Sequence, residues 1–181
     1  MRALVVYESM FGNTQRIAEA VADGLSSRME VNIVEVGSAP TVLPGGIDLL
    51  LLGGPTHAFG LTRAATRRTA AEQAGRAGCA PISKGIGLRE WLEAVRISSV
   101  GTAAAAFDTR IGSHLPGSAA RGAERRLRGL GLTVAAPAMS FHVMETMGPL
   151  ADGEVERARK WGGRLAATLA LQGTRKRAQK A

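Results

Sequence analysis

The chain has 181 residues, 45% hydrophobic and 21% charged, with a net charge of +8 at pH 7. That suffices for one domain with a sizeable core and an ordinary globular composition, while no apolar run approaches the roughly 20 residues that span a bilayer. One cysteine, Cys79, excludes an internal disulfide, and the short apolar stretch Ala3 to Tyr7 is no signal peptide, so the expected location is the cytoplasm.

In chain order, Ala3 to Tyr7 predicts a short strand, followed by a loop with Gly12. Ile17, Ala18, Val21, Ala22 and Leu25 then fall on one face of a helix over 14–25. Glu30 to Val36 alternates and suits a second strand; Ser38 to Gly46, with Pro40 and Pro44, is a loop. Ile47 to Gly53 is a near-continuous apolar run, the pattern of a parallel strand covered on both faces. Leu61 to Ala77 and Leu88 to Val95 predict helices on either side of the glycine-rich break 78–87. Val100 to Phe107 predicts a strand of small residues, Ser118 to Leu130 a basic helix, Thr133 to Met139 a last strand and Asp152 to Leu171 a last helix. Strands alternating with helices mean an α/β fold on a parallel sheet.

The charge is uneven. Arg175, Lys176, Arg177 and Lys180 lie in residues 173–181, with no acid to answer them. The expected organisation is one domain over 1–172 and a basic, disordered tail over 173–181. Arginines also cluster at Arg63, Arg67 and Arg68, and at Arg121, Arg125, Arg126 and Arg128. A nucleic-acid surface is one reading, but one Tyr, two Trp and four Phe leave little to stack on bases. A solvated face and a frayed tail are the plainer one, and nucleic acid is not an expected partner.

Ligands of open α/β sheets bind beyond the carboxyl ends of the strands, so the first loop is the place to look. It reads Tyr7-Glu8-Ser9-Met10-Phe11-Gly12-Asn13-Thr14 and runs directly into a helix. A phosphate there meets unpaired amides and the positive end of the helix dipole, with Ser9 and Thr14 as hydroxyl donors. Gly12 lets the backbone come close. The same residues also suit a glycine turn with Ser9 as an N-cap. Neither a Gly-x-x-x-x-Gly-Lys-Ser/Thr nor a Gly-x-Gly-x-x-Gly after a strand is present.

This loop resembles the phosphate loop of the flavodoxin family, in the Tyr-acid-Ser/Thr-Met-aromatic-Gly-Asn/Ser-Thr form of flavodoxin-like domains. Many free-standing flavodoxins have Ser or Thr where this chain has Phe11. The resemblance implies a three-layer, doubly wound, five-stranded parallel sheet in the order 2-1-3-4-5 with flavin mononucleotide (FMN) as cofactor. Ser9, Met10, Phe11, Gly12, Asn13 and Thr14 would hold its phosphate. The second loop, Gly53-Gly54-Pro55-Thr56-His57-Ala58-Phe59-Gly60, is similar to the flavodoxin segment that lines the isoalloxazine ring. That implies Pro55, Thr56, His57, Ala58, Phe59 and Gly60, with Phe59 and His57 as the planar wall; otherwise Phe59 packs into the core. The third loop, starting Phe107-Asp108-Thr109-Arg110 and including His114, matches by position only. It lacks the Tyr that flavodoxins often place there, so His114 or Leu115 would cover the ring if Phe107 is buried.

The implied function is electron transfer or a small flavin-dependent oxidation, of which a quinone reductase or a protoporphyrinogen-oxidising enzyme are variants. Typical flavodoxins are acidic and this chain is basic, so an acidic, ferredoxin-like redox partner is expected. Arg63 and Arg110 would raise the flavin potential. The alternative is an interaction module of the same fold with weak or lost flavin binding. His57, His114 and His142 lack metal-ligand spacing, and no metal or protein catalytic residue is expected. Glu8 and Asp108 hint at a phosphate-accepting receiver domain, but no aspartate ends the third strand.

Overall fold

The computed structural model describes residues 1–97, 101–112 and 116–178. Six strands, β1 (Arg2–Tyr7), β2 (Glu30–Glu35), β3 (Leu49–Pro55), β4 (Ala103–Ile111), β5 (Thr133–Val134) and β6 (Met139–Val143), form one sheet. Its helices are α1 (Asn13–Ser26), α2 (Ala64–Arg76), α3 (Leu88–Ala94), α4 (Ala119–Gly129) and α5 (Glu154–Ala178). The sheet order is β2-β1-β3-β4-β5, with β6 paired to β4 and every strand pair parallel. This is the doubly wound α/β arrangement, with the order reversing beside β1.

Strand alternation builds the three layers. Ala3, Val5, Tyr7, Leu49, Leu51 and Phe107 join the core under α1 and α5; Leu4, Val6, Leu50, Leu52, Ala104 and Ala106 join the one under α3 and α4. Leu49 to Leu52 are completely buried, as the unbroken apolar run requires of a strand covered on both faces. α1 and α5 approach backbone to backbone: a Cβ at Gly24 would strike the Arg159 carbonyl, and one at Gly162 the Val21 carbonyl.

Several boundaries differ from the sequence expectation. β4 runs on to Ile111, so Phe107, Asp108, Thr109 and Arg110 belong to the strand and not to a loop after it, and β3 spans Leu49–Pro55 and not 47–53. The last strand is not continuous over 133–139. It is split into β5, opposite Ala103 and Ala104, and β6, opposite Phe107 to Ile111. Pro137 sits in the gap and cannot donate to a ladder. On either side of it, Ala135 N donates to Ala104 O (2.8 Å), and Ala138 N donates to a Glu124 carboxylate (2.6 Å). α2 begins at Ala64, because Arg63 is extended and acts as the N-cap, its N donating to Thr66 Oγ1 (2.9 Å). α5 continues past Leu171 to Ala178. Val100, placed at the start of the fourth strand, lies outside the described residues.

Candidate functional site

A cleft of about 330 Å³ opens where the carboxyl ends of β1, β3 and β4 meet α2. Ser9, Met10, Phe11, Asn13 and Thr14 line it from the first loop, and Pro55, Thr56, His57 and Ala58 from the second. Thr109, Arg110 and Ile111 line it from the end of β4. No carboxylate is among the described residues lining it, and Arg110 is the only one of them with a permanent charge.

The first loop is braced without its helix end being filled. Ser9 N donates to Ser83 Oγ (3.0 Å), while Ser83 N and Ile82 N donate to the carbonyls of Ser9 (2.8 Å) and Met10 (3.1 Å). Gly12, with φ of 88°, occupies the N-cap position of α1, a left-handed conformation that favours glycine. Ser9 is not the N-cap: its Oγ accepts from Gly12 N at 3.1 Å, one residue short of the helix. Asn13 Nδ2 donates to Gly148 O (2.6 Å), and the hydroxyls of Thr14 and Thr109 lie 2.7 Å apart, tying this loop to β4. The amides of Asn13, Thr14 and Gln15 have no acceptor among the described residues. They are the groups that a helix leaves for an outside partner.

The neighbouring helices are closed. At α4, Ala119 N donates to Thr56 Oγ1 (2.8 Å), Ala120 N to Asp108 Oδ2 (3.0 Å) and Arg121 N to Ser118 Oγ (3.1 Å). Asp108 Oδ2 also accepts from the hydroxyls of Thr56 (2.9 Å) and Ser118 (2.6 Å). At α3, Leu88 N donates to Glu8 Oε2 (2.8 Å), and Thr62 Oγ1 donates to Glu8 Oε1 (2.5 Å). Glu8 is completely buried, and burial pushes its carboxyl above the ordinary range even though Thr62, Leu88 and Arg67 pull it down. Both acids that hinted at a receiver domain are therefore engaged in capping helices. Among the described residues no group of His, Cys, Asp and Glu is arranged to hold a metal ion, and no helix is long and apolar enough to cross a membrane.

Other expected site residues fall elsewhere. Phe107 is buried, its ring over Gly53 and edge-to-face with Phe141 (5.9 Å between centroids) and Trp161 (6.2 Å). It follows Ala103 and Ala105 onto the α5 side of β4, so strand parity sends it into the core. Asp108 points the other way, to α4. Phe59 neither lines the cleft nor packs in the core: it is 62% exposed. The turn His57-Ala58-Phe59-Gly60 closes with His57 N to Gly60 O (3.0 Å) and Gly60 N to His57 O (3.1 Å). Its central residues have φ of 43° and 72°, values normally left to Gly and Asn. That conformation aims Phe59 and Gly60 at a second cavity on the far side of the turn. His57 stays in the cleft, where burial pushes its imidazole below its ordinary value and leaves it neutral at pH 7. His114 and Leu115 lie outside the described residues.

The sequence reading missed the wall opposite the loops. Thr66, Thr69, Ala70 and Gln73 of α2 line the cleft. Their i, i+3, i+4, i+7 spacing is the stripe of one helical face, and its polar members were the available signal. Arg67 on another side of α2 donates to Thr62 Oγ1 (3.1 Å) and pairs with Glu90 (3.0 Å), fixing this wall to α3.

The flavodoxin family model matches residues 5–161. No curated protein sequence matches the chain. Among solved structures, a flavodoxin from the domain Archaea superposes with a TM-score of 0.64 at 19% identity, covering 94% of this chain and 99% of its own. Oxidised Flavodoxin 1 from Bacillus cereus gives 0.65 at 18% identity, covering 92% and 98%. Rubredoxin oxygen:oxidoreductase from Desulfovibrio gigas gives 0.61 at 13% identity, covering 94% of this chain but 36% of its own. These low identities speak for the fold alone; the family match extends over most of the sequence, from β1 into α5. The chain belongs to the flavodoxin family.

Proposed function

We propose that this chain binds FMN in the cleft beyond β1, β3 and β4 and passes electrons through it. The observation that carries the reading is the open start of α1. The amides of Asn13, Thr14 and Gln15 face no acceptor among the described residues, and Asn13 and Thr14 line a cleft with no carboxylate among its described lining residues. A phosphate dianion there satisfies donors that otherwise need water, at the positive end of the helix.

Hydroxyl chemistry supports the same placement. Ser9 Oγ already accepts from Gly12 N, so its hydrogen remains for an anion. Whichever of Thr14 and Thr109 donates to the other, one hydroxyl hydrogen is left over. For a flat ring, Pro55, Ala58, Ile111 and Phe11 offer apolar wall and His57 a neutral planar group. FMN, when bound, supplies one- and two-electron redox chemistry. The chain's part is to hold the phosphate, enclose the ring and set the field around it. Arg110 on the cleft wall favours added negative charge, so Arg110→Gln lowers the two-electron potential of the FMN-loaded protein. An unchanged or higher potential contradicts that role.

The net charge of +8 favours an acidic redox partner, and association with it slows as salt is added. The reading covers a carrier and a small oxidoreductase alike. One observation favours a second reading, an interaction module with weakened flavin binding: Phe59 turns out of the cleft and leaves the second loop with His57 as its one planar side chain there. Titration with FMN and riboflavin decides. Saturable FMN uptake, with riboflavin at least about 100-fold weaker, supports FMN bound through its phosphate. Equal affinities overturn the phosphate site, and a folded protein that takes up neither selects the module.

A further inference from the structure

Across the His57–Gly60 turn from the cleft lies a second cavity of about 320 Å³. Arg63, Arg89, Arg125 and Arg126 line it, and no acidic side chain among the described residues does. Among the described residues none of these arginines makes an ion pair. Of the nearby acids, Glu90 pairs with Arg67, and Glu124 pairs with Arg128 and accepts from Ala138 N; Glu93, one helical turn beyond Arg89, is not among the residues lining the cavity.

One of the guanidinium groups is fixed in place, and the exposed Arg63 and Arg125 complete the rim. Arg89 donates through Nε to Thr62 O (3.0 Å) and through Nη2 to Leu61 O (2.8 Å), which fixes its plane. Arg126 comes from the next turn of helix after Gly122, another lining residue. Burial first, and then the positive charges of Arg126 and Arg63, push Arg89 below its ordinary value, although Glu90 and Glu93 pull the other way. Such a cluster costs free energy unless an anion answers it. A concave volume of this size suits a small molecule better than the broad, flat footprint of a protein partner.

We propose that this cavity is a second ligand site, which takes a small anion carrying two or more phosphate or carboxylate groups. The planar, five-donor guanidinium matches either group through paired hydrogen bonds. Because His57, Ala58 and Thr66 line both cavities, the anion sits directly beside the cleft, in the position of a substrate for the site there. The assignment does not depend on flavin binding.

The test is calorimetric titration of the purified full chain with pyrophosphate and with citrate, each with and without excess FMN. The expected result is saturable one-to-one binding of at least one probe, undisturbed by FMN. Pyrophosphate preferred over citrate identifies a phosphate ligand, and the reverse a carboxylate ligand. The double variant Arg63→Gln/Arg125→Gln weakens binding at least about tenfold. Arg28→Gln/Arg76→Gln removes as much exposed charge elsewhere and leaves it unchanged. Absence of saturable binding overturns the proposal, as does equal loss in the two double variants. Displacement of the probe by FMN overturns it too, since the probe then sits in the phosphate loop. FMN uptake that fails while Arg63- and Arg125-dependent binding persists counts against the flavin reading alone.

Discussion

Two helix starts on the same edge of the sheet, those of α1 and α4, are built oppositely. At α4 the chain supplies its own anion: Asp108 takes Ala120 N directly, and the hydroxyls of Thr56 and Ser118 relay its charge to Ala119 N and Arg121 N. At α1 the N-cap is Gly12, which has no side chain to offer, and no carboxylate among the described residues lines the cleft. The dipole and the orphan amides are common to both. The difference lies in whether a side chain reaches them. On the proposed reading, a helix start is left to a ligand where the sequence withholds its own acceptor.

The contrast can be broken at either end. Asp108→Ala removes the acceptor for Thr56, Ser118 and Ala120 N together, and should cost about 3 kcal/mol of stability in chemical denaturation. A loss below about 1 kcal/mol would mean that α4 does not need its internal carboxylate. Thr14→Ala acts on the open end. It should weaken FMN by about 1–3 kcal/mol if the hydroxyl donates to the phosphate, and cost about 1 kcal/mol of stability in the free protein, because the buried bond to Thr109 goes with it. Unaltered FMN affinity would place the phosphate away from Thr14.

Smaller effects sharpen the picture. Phe59→Gly relieves a left-handed residue and should raise stability by about 1 kcal/mol while leaving FMN affinity as it was. Weaker FMN binding in that variant would return Phe59 to the cleft. Glu8, the internal carboxylate of α3, gives the gentlest test. Burial raises its pKa in the folded chain above the unfolded value of 4.5, so the folded state binds more protons between those two values. Its contribution is fully present below pH 4.5 and is lost as pH rises through the folded value. Glu8→Gln should therefore show a shallower fall in stability above pH 4.5 than the parent; an equal slope assigns the fall to other groups.

What was legible in the sequence was what is local. The first loop could be read because strand, glycine turn and helix start follow one another within a few residues. The order of strands followed from resemblance, and Leu49 to Leu52 announced a central strand by composition alone. Phe107 was readable by parity with Ala103 and Ala105, but its position next to the loop made a ligand contact look equally natural. Phe59 was not readable. Its direction is set by an Ala58–Phe59 turn in a conformation that those residue types do not signal. The bridging role of Asp108 and the α2 wall depend on partners far away in the chain, such as Ala120 N for the former, and only the fold brings them together. Pro137 did announce the break between β5 and β6, and the apolar pattern around it concealed the message.

The central claim is that α1 opens onto an anion. Amide-resolved NMR titration with FMN tests it most directly. The largest shifts and the strongest protection from exchange should fall on Asn13, Thr14 and Gln15, while Ala119, Ala120 and Arg121 barely move. Saturation with the first group unmoved, or with α4 responding instead, would contradict it.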